Sequence, residues 1–140
     1  MNPRASGGTK PMSSSDIVAR ATQAHSFLEA ARLAVDSAAA LGDEAVANVA
    51  ASNAVYAGIA AADAICGKAL AVRSTSFNHA DAVALVRRAH EGEAAANHLR
   101  ALISLRNNAA YEPRMVTAAK AADAIQHAER LVAAMDKMLR

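Results

Sequence analysis

Arg106 is the residue of this sequence whose type and position best suit chemistry. It lies three and four residues after Ile103 and Leu102, and this spacing places it on a helix face that should be buried. A buried guanidinium needs a partner, but its aliphatic stem can also cover apolar surface while the charged head reaches solvent at the helix end. Both interpretations are open, and the residues that follow Arg106 bear on the choice.

Asp63 is the second residue of interest, because it is the only charged residue between Ala45 and Gly67. A lone carboxylate in an apolar helix is expected to be paired, since an isolated buried charge is costly. The partners that we consider are Arg106, Arg73 and His79. We expect a structural ion pair rather than a catalytic acid, and we expect His79 to cap a helix or to bond Asp63.

The remaining histidines and Cys66 form no metal-binding or nucleophilic pattern. The segment His90-Glu91-Gly92-Glu93 begins like a zincin helix, but Ala94 stands where the second histidine is needed. His98 is eight residues from His90, and Cys66 is a single cysteine without a partner for a disulfide. The sequence therefore predicts no metal, no cofactor and no disulfide.

The composition indicates the elements that must position these residues. Of the 140 residues, 40 are alanine and only 3% are aromatic, so strands are disfavoured and helices are favoured. The length suits one domain with a single core. The net charge of +2 is too small to indicate nucleic-acid binding by itself. We expect an all-α protein.

The first residues differ in composition from the rest of the chain. Residues 1–13 contain glycine, proline and serine but no apolar run, so we predict a disordered tail without an export signal. Residues 14–140 form the single predicted domain. Together with the lone cysteine, the absence of an export signal leads us to expect a cytoplasmic protein.

Apolar periodicity predicts five helices. The heptad positions Ile17, Ala24, Ala31 and Ala38 indicate a long first helix that ends near Leu41-Gly42. The second helix is apolar on nearly every side; a membrane span is the rival interpretation, but its Asn and Asp side chains would be costly in lipid. With short loops, the predicted fold is an up-and-down bundle of four long helices plus a short fifth. The last three helices are predicted to run from Asn78 or His79 to His90, from Glu93 to Tyr111, and from Met115 to Leu139.

The segment Arg106-Asn107-Asn108-Ala109-Ala110-Tyr111 resembles the signature of the HEPN superfamily, the nucleotide-binding helical domains of higher eukaryotes and prokaryotes. That signature is an arginine, a polar residue that is often asparagine, and then a histidine, late in a small helical bundle. The segments 58–63 and 79–82 also look like a bacterial branch of this superfamily. The resemblance covers about residues 15–140.

The resemblance implies metal-independent RNA cleavage in a cleft between two protomers, where that activity exists. By position, Arg106 matches the arginine and Asn107 the polar residue, but Tyr111 stands where the histidine should be. A phenol with a pKa of about 10 is a poor proton shuttle at neutral pH, so we expect cleavage to be absent or much reduced. Arg106 and Tyr111 are five residues apart and cannot share one helix face, which favours a site composed of residues from both protomers of a homodimer.

The sequence therefore predicts a HEPN-like dimeric module that is non-catalytic and binds RNA, a nucleotide or a protein partner, as in toxin–antitoxin or defence systems. An active metal-independent ribonuclease and a purely structural oligomerisation module remain alternatives. The predicted ligand-binding residues are Arg106, Asn107, Tyr111, Asp63 and His79, and the first three are also the candidate catalytic residues.

Overall fold

The computed structural model describes residues 8–42, 44–75, 79–90, 93–111 and 116–140, with the side chains of residues 44, 79 and 107–111 outside the description. The described residues form a helical bundle with one small two-stranded ribbon, so the expected all-α bundle of four long helices and one short helix is confirmed. The elements in chain order are β1 Thr9–Pro11, α1 Ser14–Leu41, α2 Glu44–Leu70, β2 Val72–Ser74, α3 His79–Ala89, α4 Ala94–Tyr111 and α5 Ala118–Leu139.

Local signals fix both ends of α1, and its last residue lies where the sequence predicts it. The Ser13 hydroxyl accepts a hydrogen bond from the Asp16 backbone N–H, and the Asp16 carboxylate accepts one from the Ser13 backbone N–H. The bond from the Ser13 backbone N–H favours the charged carboxylate and, together with the Ser13 hydroxyl, lowers the pKa of Asp16. At the other end, Gly42 takes the left-handed conformation with φ 65°, and its N–H bonds the Ala38 carbonyl.

Helix α2 is the central helix, and small side chains let its neighbours approach closely. A Cβ atom on Gly58 would collide with Leu102 Cδ1 of α4 and would lie 3.4 Å from Leu131 Cδ1 of α5. Among the described helices, the segment Ala45–Leu70 is long and apolar enough to cross a membrane, but 72% of its most apolar window is buried inside the fold. The burial agrees with the predicted role as a core helix.

Helices α1 and α5 run in opposite directions, and polar contacts join them along their outer edge. Arg32 donates to a Glu129 carboxylate oxygen at 2.8 Å, and two turns earlier in α1 the His25 ring lies 2.8 Å from Asp136 Oδ1. These side chains are well exposed, so each pair contributes about 1 kcal/mol at most to stability. The stability of the bundle therefore comes mainly from its alanine-rich core.

The segment before α1 differs from the predicted disordered tail. Residues 8–13 are ordered, and strand β1 pairs antiparallel with β2, with Lys10 directly opposite Arg73. The Met12 side chain is buried, and its sulfur lies 2.8 Å from the position that a Cβ atom on Gly67 would take. Burial of Met12 and the ladder hydrogen bonds offset the entropy lost on ordering this segment. Residues 1–7 lie outside the described part of the chain.

Candidate anion-binding site

Asp63 is buried on α2, and its partner is Arg20 of α1. The Arg20 Nε atom donates to Asp63 Oδ2 at 2.9 Å, and an Nη atom of Arg20 donates to the same oxygen. The expectation of a structural ion pair is therefore correct, but the partner is none of the three residues that we considered. Arg20 lies beside the apolar seam of α1, at the edge of the face that packs on α2, which is why it reaches Asp63 across 43 residues of sequence.

The Arg20 ion pair compensates only part of the cost of burying Asp63. Burial raises the pKa of Asp63, while the hydrogen bond from Arg20 and the positive charges of Arg20 and Arg73 act in the opposite direction. The net direction is upward because the carboxylate side chain is only 9% exposed. Further positive charge beside Asp63 would therefore be attractive to its ionised form.

Arg73, whose charge already acts on Asp63, and Arg106 line the same cavity as this carboxylate. We call it the inner cavity; its volume is about 170 Å³. Among the described residues, neither Arg73 nor Arg106 forms an ion pair with a carboxylate. The wall of the inner cavity consists of Arg20, Ile59, Ala62, Asp63, Arg73, Ser74, Ala82, Leu99, Ile103 and Arg106.

The structure decides between the two interpretations of Arg106. Leu102 and Ile103 are buried as the periodicity predicts, but Arg106 one turn later is exposed. It stands at the rim between the inner cavity and a small depression beside Ser52 and Val55 of α2. In this position the stem covers apolar surface while the guanidinium remains hydrated.

The other predicted site residues are placed only by their backbone. Asn107 and Tyr111 belong to the last turns of α4, and His79 is the first residue of α3. Their side chains lie outside the described residues, so the expected contacts of Tyr111 and His79 stay predictions. Of the five predicted ligand-binding residues, Arg106 and Asp63 are therefore the two that the structure brings to one cavity.

A larger and shallower depression adjoins the inner cavity. We call it the outer cavity; its volume is about 560 Å³, and Arg20 and Arg73 line both cavities. Lys10 also faces the outer cavity, because β1 and β2 place it opposite Arg73. Asp16 lines it as well, but its carboxylate is engaged by the Ser13 backbone at the start of α1.

Two other groups of chemical interest lie outside this site. His98 of α4 and His127 of α5 approach with their Nδ1 atoms 2.9 Å apart, so that one ring donates a hydrogen bond to the other. Burial lowers the pKa of His98, and His127 and Arg130 lower it further. Burial raises the pKa of Cys66 to about 12, which keeps the thiol protonated and unreactive at neutral pH.

Within the described ranges, no three or more His, Cys, Asp or Glu residues are grouped so as to hold a metal ion. Comparisons of the chain with protein-family models, with curated proteins and with solved structures find no match. The geometry and charge of the two cavities are therefore the observations from which a function can be inferred.

Proposed function

We propose that this protein is a HEPN-like helical module that binds the phosphate groups of RNA or of a nucleotide without cleaving them. The observation that supports the proposal is the arrangement of the inner cavity, where Arg20, Arg73 and Arg106 come from three separate elements and surround a single carboxylate, Asp63. A cytoplasmic setting belongs to the same proposal.

The charges of the inner cavity favour an anionic ligand. Three guanidinium groups against one carboxylate leave a formal surplus of two positive charges, and Arg20 is the one that hydrogen-bonds Asp63. Within the described part of the chain, Arg73 and Arg106 form no ion pair, and a guanidinium offers paired donors that match the oxygens of a phosphate. The apolar wall formed by Ile59, Leu99 and Ile103 would exclude water and strengthen these contacts.

Replacing Arg106 by alanine tests the proposal. We expect about tenfold weaker binding of a fluorescent oligoribonucleotide, because the variant removes one of the two guanidinium groups that lack a carboxylate partner. Fluorescence anisotropy at several salt concentrations measures the affinity, and incubation without metal measures any cleavage.

Arg100→Ala is the matched control for this experiment. Arg100 is exposed on the same helix, bonds Asn97 at 2.7 Å and lies outside both cavities, so its removal changes the net charge equally. Equal losses in the two variants would indicate unspecific attraction and contradict the proposal. Metal-independent cleavage that disappears with Arg106 would instead favour the ribonuclease alternative.

We also propose that the protein is a homodimer, and an exposed apolar surface on the α1–α2 hairpin supports this. We call it the hairpin face; it consists of Phe27, Ala34 and Leu41 of α1 with Val49 and Tyr56 of α2. The rings of Phe27 and Tyr56 lie 5.4 Å apart, and Leu41, Val49 and Tyr56 are 74%, 54% and 46% exposed. Exposed apolar patches of this kind mark interaction surfaces.

The uncharged hairpin face suits a second copy of the chain, because two such faces meet without repulsion between like charges. Light scattering coupled to size exclusion should give twice the chain mass of 14.4 kDa. Val49→Asp should give a monomer, whereas Val18→Asp, at a valine that is 65% exposed on another side of α1, should remain dimeric. A monomeric wild-type protein would refute the homodimer.

A further inference from the structure

The outer cavity carries positive charge that the proposed function does not use. Lys10 and Arg73 occupy directly opposite positions of the β1–β2 ribbon, so their side chains lie on the same face of it. Like charges at opposite positions repel each other, and such a pair destabilises a ribbon unless an anion lies between them. The ribbon has only three residues in each strand, so this repulsion is a substantial cost for it.

The carboxylates near the ribbon compensate this pair only in part, although the charge of Arg73 acts on both Asp16 and Asp63. Asp16 is held by the backbone and hydroxyl of Ser13, and Asp63 is held by Arg20. Neither Lys10 nor Arg73 forms an ion pair within the described part of the chain. An external anion would therefore relieve the repulsion that remains between Lys10 and Arg73.

The two cavities are adjacent, because Arg73 and Arg20 line both of them. A ligand with one phosphate in the inner cavity would have its neighbouring group above the ribbon, beside Lys10. The outer cavity, at about 560 Å³ against about 170 Å³, has the room for a nucleotide unit that the inner cavity lacks.

We propose that the Lys10–Arg73 pair is a second phosphate subsite, and that the ligand is an oligonucleotide with successive phosphates rather than a mononucleotide. Arg106 and Arg73 bind one phosphate in the inner cavity, and Lys10 and Arg73 bind the next in the outer cavity. This inference rests on the proposed function, because it assigns the ligand class of the same site.

The test compares an eight-residue single-stranded oligoribonucleotide with adenosine 5′-monophosphate on the wild-type protein and on Lys10→Gln. Glutamine keeps most of the aliphatic stem, and the ladder hydrogen bonds of β1 use only the backbone. We expect about fivefold weaker binding of the oligonucleotide and unchanged affinity for the mononucleotide. The slope of the logarithm of the oligonucleotide binding constant against the logarithm of the salt concentration should become smaller in magnitude by about 0.7. Lys120→Gln, at an exposed lysine in the first turns of α5 and outside both cavities, is the matched control.

The outcomes separate this inference from the proposed function. If Arg106→Ala weakens both probes while Lys10→Gln changes neither, the inner cavity binds phosphate and the second subsite is refuted. Equal affinities of the wild-type protein for the two probes would also refute it. If neither probe binds at low salt, the proposed function fails, and the second subsite fails with it.

Discussion

Arg20→Ala is expected to lower the free energy of unfolding by about 3 kcal/mol at pH 7, because it leaves the buried Asp63 carboxylate without its partner. The loss lies at the lower end of the range for broken buried pairs, since the Arg20 side chain is 30% exposed and Arg73 remains nearby. Urea denaturation followed by circular dichroism measures the difference. Arg32→Ala, on the same helix, removes an exposed ion pair with Glu129 of α5. This change should lower the free energy of unfolding by less than about 1 kcal/mol.

The pH dependence of this loss identifies Asp63 as its source. Burial already raises the folded-state pKa of Asp63 above the unfolded value of 3.8, so protonation of Asp63 favours the folded state. The stability that this protonation contributes is lost as pH rises through the folded pKa. Without Arg20 the pKa rises further, and the penalty at pH 7 grows. The difference between wild type and Arg20→Ala should therefore shrink toward pH 4.

A double-mutant cycle with Asp63→Asn controls for lost packing. The neutral amide has no buried charge, so removing Arg20 from the Asp63→Asn protein should cost only about 1 kcal/mol. An Arg20→Ala penalty that is the same at pH 4 and pH 7, and the same in the Asp63→Asn protein, would show that Arg20 acts by packing alone.

Gly58→Val is expected to destabilise the protein by about 3 kcal/mol through overpacking at the centre of the bundle. A side chain at this position would collide with Leu102 and approach Leu131, and both leucines are fully buried. Chemical denaturation measures the loss. Ser52→Val, at an exposed position of the same helix, should change stability by less than about 0.5 kcal/mol.

Leu102→Ala provides the complementary experiment for Gly58. Alone, this change should cost about 3 kcal/mol through the cavity that it leaves. Combined with Gly58→Val, the cost should be clearly less than the sum, because the valine methyl groups occupy the space that Leu102 vacates. Additive losses would mean that Gly58 is required for another reason than the close approach of α4.

The helices were predictable because their signals are local. The heptad spacing of Ala24, Ala31 and Ala38 lies within the first helix, and Gly42 directly follows its last residue. The central position of α2 followed from its lack of charge. The sequence expectation and the structure agree on these elements because each depends on residues a few positions apart.

The ribbon and the Asp63 partner depend on contacts between distant residues, and the sequence could not predict them. Strand β1 contains Lys10 and Pro11 and has no apolar alternation, so nothing local distinguishes it from a tail. The sequence does contain one indication that Arg20 pairs with Asp63. An arginine beside the apolar seam of α1 needs a partner, and Asp63 is the only charged residue between Ala45 and Gly67. For Arg106 the sequence left two interpretations open, because periodicity does not show where a helix passes the edge of its neighbour.

The β1–β2 ribbon closes a loop in the chain, since it joins residues more than 60 positions apart and holds together the open end of the α1–α2 hairpin. Short strands with exposed or half-buried side chains open locally, so their amide hydrogens should exchange with solvent far faster than those of the buried turns of α2. The Met12 N–H, which bonds the Ala71 carbonyl at 2.8 Å, should exchange with them. An anion that bridges Lys10 and Arg73 would slow this exchange. Occupancy of the outer cavity would therefore determine the stability of the ribbon that joins the ends of the α1–α2 hairpin.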